Sequence, residues 1–413
     1  MAFVPDHDRK VSLTPLTEAL AAIRSQLSPI VMQETVALSQ ARGRILAENL
    51  VAGVDLPLRN SSAVDGYAIR ADALSAKGAG SFRLVGRAAA GHPFTGVLSH
   101  GEAVRIFTGA PVPEGADTVV MQERCVADGD TLTVLSHPLG KSNWRERGED
   151  LRRDTVALAI GRRLRTPDLA LAAALGRREL TVFRKLRIGL FSTGDELCEP
   201  GERLENGQIW DANRSLLRGL LEQTGCDVAD LGILRDNPRD LEGRLSAAAQ
   251  DADMLVTSGG MSVGDEDYIH AIIRRRGTLD VWRVALRPGK PVGIGDIDAC
   301  PILALPGNPI SAAVAFLALG RVVVERLSGA SEERQHSFLA SAGFAFEKKK
   351  GLRQYLLGDV AEGSDGSSMA LLHARQGSAM LSTLTSCGGF IVLPEECERV
   401  KQGEPVRFVP LHH

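Results

Sequence analysis

The sequence predicts a multidomain protein of mixed α/β and β architecture. Three observations carry that reading. From Lys185 the chain runs strand, loop, helix, repeatedly, the rhythm of a mostly parallel sheet covered on both faces. Residues 44–160 alternate short β-like runs with Gly/Pro turns, and residues 338–413 form a second Gly-punctuated β-rich tract. The 413 residues, at ~150 per domain, leave room for two to four domains.

The elements follow in order. Thr14-Pro15 opens a helix in which Leu16, Ala19, Leu20, Ile23 and Leu27 recur at helical spacing, and Pro15 suits the first helical position. Phe82–Val85, Ala103–Phe107 and Thr131–Leu135 read as strands between turns at Gly91, Pro93, Gly101, Pro111, Pro113 and Gly115. Thr166-Pro167 starts a second helix, closed by Gly176. Strand Leu186–Phe191 leads into the loop 192–196, and Asp211 or Asn213 can cap the helix that ends near Gly225. Strand 226–234, a helix after Pro238, strand Met254–Thr257 and helix Tyr268–Arg276 come next. Strand Ile302–Leu305 leads through Pro306-Gly307-Asn308-Pro309 into a long apolar helix, and the polar stretch 329–335 precedes the β-rich tail.

Composition excludes several classes. Lys and Arg number 48 against 51 Asp and Glu, net −3, which gives no electrostatic footprint for nucleic acid. Aromatics are 4%, too few for base-stacking platforms. No run of 18 apolar residues predicts a membrane span, and MAFVPDHDRKVSL holds no apolar signal core. Cys125, Cys198, Cys226, Cys300, Cys387 and Cys397 are scattered without a CxxC pair, and the nine histidines lack ligand spacing. That usage fits a reducing, cytoplasmic setting, with no structural zinc and no redox dithiol.

Chemistry is expected at the carboxyl ends of the α/β strands. STGDE (192–196), SGGMSVGDED (258–267) and LPGNP (305–309) are rich in Gly, Ser and Asp beside helix starts. Glycine lets backbone amides approach a phosphate, and helix N-termini favour anions. RPGKP (287–291) adds two cations. The set matches neither a Walker A loop nor a GxGxxG fingerprint, so an ordinary P-loop NTPase or NAD enzyme is disfavoured. Glu196, Asp236 and Asp267 each follow a different strand, and three acids beside a phosphate repel unless a divalent ion such as Mg²⁺ bridges them. Any one such Asp is more commonly a turn former or cap; three at one sheet edge point to metal or phosphate work. In the β-rich tract, Asp65 sits in a Gly turn, Thr108 follows a strand, and residues 143–150 mix Arg145 with acids including Asp150. From the residues alone this is a metal-assisted enzyme acting on a phosphorylated or nucleotidyl substrate, the reaction left open.

The motifs together resemble the MoeA family of molybdopterin molybdenumtransferases, to which the gephyrin E domain is related. They are SAVDGYA (62–68), FTGAPVPEGADTVVMQE (107–123), RGED (147–150), FSTGDEL (191–197), SGGMSVGDEDY (258–268), RPGKP (287–291) and LPGNP (305–309), in family order. The resemblance implies four domains: a discontinuous, elongated helical linker domain (11–45 with 151–185), a β-rich domain (46–150), a MogA-like α/β domain (186–328) and a β-barrel-like C-terminal domain (338–413). It implies a homodimer whose cleft lies between the α/β domain of one subunit and the β-rich domain of the other. The implied reaction is molybdate-dependent, divalent-metal-assisted hydrolysis of adenylylated molybdopterin, with release of AMP and transfer of molybdenum to the dithiolene.

Carried over residue by residue, Asp65, Thr108, Asp150, Glu196, Asp236 and Asp267 become the catalytic candidates, and the last three of these would hold the metal. Ser192, Gly194, Ser258, Gly259, Gly260, Ser262, Gly264, Arg287, Lys290 and Arg145 would bind phosphate. Molybdate, a tetrahedral oxyanion, would meet Lys290, Pro306, Pro309, Ser311, Ser382 and Arg353. The implied partners are pterin adenylyltransferase and molybdoenzyme-maturation proteins, with no nucleic acid and no membrane. Three departures stand out. Val64 replaces a common Met and Arg287 a common Lys, and segment 351–358 has one arginine, Arg353, where the family shows two arginines and an acid. The alternatives are the adenylyltransferase of the preceding step and a gephyrin-like scaffold without catalysis.

Overall fold

The computed structural model describes residues 13–136, 143–235, 238–259, 268–331, 336–363 and 366–411. In the β-rich region a six-stranded sheet runs in the order Thr118–Met121, Gly66–Ile69, Glu102–Ile106, Gly80–Ala88, Thr131–Val134, Cys125–Asp128. Both faces are covered. Ala68, Val104, Ile106 and Val119 belong to one core, and Ile69, Phe82, Val120 and Leu132 to another. Alternating side chains thus feed two apolar layers from single strands.

The chain enters and leaves this region side by side. Strand Gln33–Ala37 pairs antiparallel with Glu179–Phe183, which also pairs with Ile45–Leu46. Helix Thr166–Ala174 packs beside them, with Asp168 accepting the Arg165 backbone N–H at 2.8 Å and Arg162 Nη2 at 2.8 Å. The linker is therefore a small sheet with a helix, not helices alone. The helix Leu16–Gln26 lies elsewhere: its buried Leu16, Ala19 and Ile23 join the core of the α/β sheet.

The α/β sheet has the order Asp227–Leu234, Arg187–Thr193, Met254–Ser258, Cys300–Leu305, Pro291–Ile297, Gly277–Arg283. The first four strands are parallel, as the strand–helix rhythm predicts. The last two are antiparallel, a departure from a parallel sheet. No helix separates 277–305 into crossovers, and Asp298-Ala299, both at positive φ, turn the chain directly from one strand into the next. The β-barrel expectation for the tail is met. Strands Arg353–Glu362, Ser368–Leu372, Phe338–Ala342, Pro405–Pro410 and Gly389–Leu393 close into a five-stranded ring, because the last pairs back with the first. Among the described residues no helix is long and apolar enough to cross a membrane. All six cysteines are free.

The amino end of the central strand is clasped electrostatically. Asp253 accepts from Arg184 Nη1 at 2.7 Å, Arg187 Nη2 at 3.0 Å and the Arg187 backbone at 2.8 Å. Burial raises its carboxyl, but these bonds outweigh burial and hold it at about 2, below the ordinary 3.8. A depressed carboxyl stabilises the fold fully above its unfolded value and loses that contribution as pH falls through the folded one. Asp253→Asn is expected to cost about 2 kcal/mol at neutral pH and progressively less below about pH 4. Urea unfolding of both proteins across that range measures it; a cost that does not shrink in acid would exclude the charge as its origin.

Candidate functional site

Three loops of the β-rich region are knitted into one polar cluster. Ser61–Ser62 pairs with Trp144–Arg145, Gly109 donates its N–H to Ser62 O at 2.8 Å, and Ala63 donates to Asn143 O at 2.9 Å. Thr108 is thereby held against Asp65. Its backbone N–H and its hydroxyl both donate to Asp65 Oδ1, each at 2.8 Å. Those two bonds hold the Asp65 carboxyl below its ordinary range, assisted by the charge of Arg105. Arg105 braces the cluster from behind: its guanidinium lies 4.9 Å from the Tyr67 ring centroid and 4.7 Å from that of Phe107, and Nη1 donates to Gly66 O at 2.9 Å. Arg145 is exposed one strand away. Asp150 is exposed in the next turn, its backbone N–H on Leu56 O at 3.0 Å.

A second cluster sits at the carboxyl ends of the parallel strands. Ser192 and Ser258 are register partners on adjacent strands, and Ser258 pairs with Leu305 on the next. Gly259, at φ +92°, donates its N–H to Leu305 O, and a Cβ there would meet Thr193 O at 2.8 Å, so only glycine lets these loops close up. Asn213 ties two of them together: Nδ2 donates to Ser258 Oγ at 2.7 Å and to Gly307 O at 2.5 Å. With both amide protons committed, Asn213 Oδ1 is left buried without a partner among the described residues, as is Ser192 Oγ. A buried orphan group costs about 1–3 kcal/mol, so this pair at the strand ends is suited to polar groups of a ligand. The Glu196 side chain is exposed and folds over Gly194, where any Cβ would strike its carboxylate.

The cationic loop lies at the junction with the barrel. Leu286 and Arg287 pair in parallel with Arg353 and Gln354, adding a short strand beside the closed ring. Gly289, at φ +106°, brings the loop against helix Pro309–Ala315, where a Cβ would come 2.9 Å from Ser311 O. Ile310 N–H donates to Ser378 O at 2.9 Å, and the helix Leu381–Ser386 that carries exposed Ser382 packs on the same helix. Lys290, Pro309, Ser311 and Ser382 therefore belong to one neighbourhood, although Ser311 itself is buried.

Models of three regions match the chain: the MoeA N-terminal region (domain I and II) at residues 14–176, a probable molybdopterin binding domain at 189–326, and the MoeA C-terminal region (domain IV) at 340–411. A molybdopterin molybdenumtransferase of Haemophilus influenzae is 36% identical over 400 residues, 96% of this chain and 98% of the relative. The chain belongs to the MoeA family. A second relative, molybdopterin molybdenumtransferase 2 of Mycobacterium tuberculosis, is 32% identical over 412 residues, 98% of each chain. A crystal structure of the molybdopterin biosynthesis moeA protein from Pyrococcus horikoshii superposes with a TM-score of 0.82 at 26% identity, over 97% of this chain and 100% of that one.

For this MoeA-family chain the expected residues divide as follows. Asp65 and Thr108 meet directly, with Arg145 and Asp150 in neighbouring turns. Ser192, Gly194, Glu196, Ser258, Gly259 and Pro306 share the sheet edge. None of Asp65, Thr108, Arg145 or Asp150 bonds to that edge among the described residues. Asp236, Asp267, Gly260, Ser262 and Gly264 lie outside the described residues. Arg353 is not with Lys290. Its Nε and Nη2 both sit 3.0 Å from Glu395 Oε2, and it lines a separate cavity of about 410 Å³ with Arg399 and Arg407. Asn213 was legible only as a helix cap, and Lys349 and Lys350 were not singled out by the sequence. Both lysines in fact line a cavity with Arg287 and Lys290.

Proposed function

We propose that the chain catalyses molybdenum insertion in molybdenum-cofactor biosynthesis. The observation that carries this reading is the pairing of a carboxylate-and-hydroxyl sheet edge on the α/β unit with a cationic cavity where that unit meets the barrel, in a chain whose relatives of equal length are named molybdopterin molybdenumtransferases. The substrate would be adenylylated molybdopterin, a pterin dithiolene joined through a phosphoanhydride to AMP, and molybdate. Ser192 Oγ and Asn213 Oδ1 would satisfy polar groups of the bound pterin nucleotide. Backbone amides of the glycine-rich loop 258–264, other than the Gly259 N–H that Leu305 O already holds, would take phosphate charge. Asp65, kept ionised by Thr108, would face the same substrate from the β-rich domain of a second subunit. This assigns domain 46–150 of one subunit and domain 186–328 of its partner to one cleft. Entry of molybdate triggers hydrolysis of the anhydride, AMP leaves, and molybdenum passes to the dithiolene sulfurs. The protein positions charge instead of supplying a nucleophile.

A divalent ion fits the donor set in outline. Glu196 offers an exposed carboxylate with no hydrogen bond or ion pair among the described residues, and no group of three metal-ligating side chains occurs among them. Mg²⁺ takes few protein ligands and keeps water and phosphate oxygens, so an exposed carboxylate at this edge is a suitable donor. Glu196, with Asp236 and Asp267, would hold it, and it would neutralise phosphoanhydride charge. The reading places the reaction in the cytoplasm, with the adenylyltransferase supplying the substrate. The deciding assay incubates protein, adenylylated pterin, Mg²⁺ and molybdate and measures AMP. Molybdate-dependent release is expected; release indifferent to molybdate would refute the reading, and ATP-dependent formation of the adenylylated pterin would support the preceding step instead.

A further inference from the structure

An aromatic face and a lone acceptor meet where the Glu196 arm enters the next helix. Strand Leu197–Cys198 pairs with Ile209–Trp210, and Ile209 N–H donates to Glu196 O at 2.8 Å. The arm thus starts at Glu196 and returns through Trp210 to Asn213, where helix Asn213–Gln223 begins. Ile209 and Trp210 are both more than half exposed. Among the described side chains Trp210 is the only exposed aromatic one. Its indole N–H donates to Glu202 O at 3.0 Å, which fixes one edge of the ring while its surface stays open. An anchored indole offers a flat face to a second ring at little entropic cost.

Asn213 supplies a polar edge of fixed sense. Gly307 O can only accept, so the amide NH₂ must face it and Oδ1 must point the other way. The amide also donates to Ser258 Oγ at 2.7 Å, whose own proton continues to Pro306 O at 3.3 Å. The donor chain is therefore directional, and Oδ1 is left as an acceptor without a partner among the described residues. Such an acceptor selects a ligand N–H and rejects a ligand carbonyl or phosphate oxygen. Local charge acts in the same sense. Arg214, the next residue, is buried and engaged by three carboxylates: Nη1 with Asp211 at 3.1 Å, Nε with Asp230 at 2.8 Å, and Nη2 with Glu199. Two negative charges stand in excess beside Asn213, which disfavours a phosphate there and leaves a neutral donor acceptable. The same ties join the arm, the helix and strand Asp227–Leu234, so the corner is preorganised.

We propose that the corner of Trp210 and Asn213 takes a neutral heteroaromatic ring of the substrate, stacked on the indole with an N–H edge on Asn213 Oδ1 and its phosphate end directed away. The proposal rests on the reading above, in which the substrate is a pterin nucleotide. It sets the direction in which that substrate lies along the sheet edge. Both of its rings present an N–H edge, the amino group of adenine and the amino and lactam groups of a pterin, so the test separates the two sources.

Full-length protein is titrated calorimetrically with AMP and with pterin, and with inosine monophosphate and lumazine, which carry a carbonyl in place of the amino group. Pyrophosphate is the ring-free control. Wild type is compared with Asn213→Ala, Trp210→Ala and Trp210→Phe. Wild type is expected to bind an amino ring about tenfold more tightly than its carbonyl analogue, and the larger preference names the ring held. Asn213→Ala abolishes that preference and leaves pyrophosphate binding unchanged. Trp210→Ala weakens the same ring about tenfold with the preference retained, and Trp210→Phe restores it. No preference in wild type, a preference that survives in Asn213→Ala, equal affinity in Trp210→Ala, or pyrophosphate weakened as much as the ring overturns the proposal. Ring binding that depends on Trp210 and Asn213, without molybdate-dependent AMP release from the adenylylated pterin, supports the ring corner and refutes the assigned reaction.

Discussion

Asp65→Asn is expected to lower kcat for AMP release by about 10²-fold or more while the fold persists. The asparagine keeps a carbonyl oxygen where Asp65 Oδ1 accepts the Thr108 N–H and hydroxyl, both at 2.8 Å, so the loops stay joined and only the charge is removed. The same geometry sets a pH dependence. The Thr108 bonds stabilise the carboxylate, first through the backbone N–H and then through the hydroxyl, and hold it below 3.8. If the ionised form is the working form, activity survives into acid until that depressed carboxyl protonates. Thr108→Val retains the backbone bond and deletes the hydroxyl, so the carboxyl titrates nearer its ordinary value and the acid limb of the kcat profile moves to higher pH. Arg105 remains stacked on Tyr67 and Phe107 in both variants, which guards against collapse of the cluster. Near-wild-type kcat in Asp65→Asn would remove Asp65 from the mechanism. An acid limb that stays put in Thr108→Val would show that Asp65 does not control it.

Much of the architecture was legible because apolar periodicity is local. The parallel strands at 187–193, 254–258 and 300–305 are short, largely apolar runs, and the edge strand 227–234, with Asp227 and Asp230, is marked by its place between two helices. The linker strand Gln33–Ala37 was not legible: four of its five residues are exposed, so no burial alternation marks it, and its partner lies near residue 180. The antiparallel edge at 277–297 was hidden for a related reason, since pairing direction follows from a connection and not from composition. The site shows the same division. Asp65 and Thr108 lie in motifs with strong turn chemistry and could be singled out, but their contact spans 43 residues and needed the fold. Lys349 and Lys350 carried no signal in the sequence, because their proximity to Arg287 and Lys290 comes from a two-residue ladder between distant segments. The ion pair of Arg353 with Glu395 was not legible, because a sequence shows a charge without showing the partner 42 residues away.

Co-expression of Asp65→Asn subunits with Glu196→Gln subunits is expected to restore activity that neither variant has alone. The two residues lie in clusters that do not bond to each other among the described residues of one chain, so a cleft shared across a dimer predicts complementation. In a heterodimer of the two variants, one cleft combines both substitutions and is dead. The other combines the intact Asp65 of one subunit with the intact Glu196 of its partner. Random pairing makes half the dimers mixed, and each mixed dimer has one working cleft of two, so the preparation should reach roughly a quarter of wild-type activity. A complementary experiment pairs wild type with the double variant Asp65→Asn/Glu196→Gln. A shared cleft leaves both sites of the mixed dimer broken, and activity falls to roughly a quarter. A cleft contained in each subunit would instead leave one working site per mixed dimer and roughly half the activity. The two arms move in opposite senses under the two arrangements. Absence of complementation, together with half activity in the second pairing, would assign the whole cleft to a single chain and require the β-rich domain to swing onto its own α/β unit.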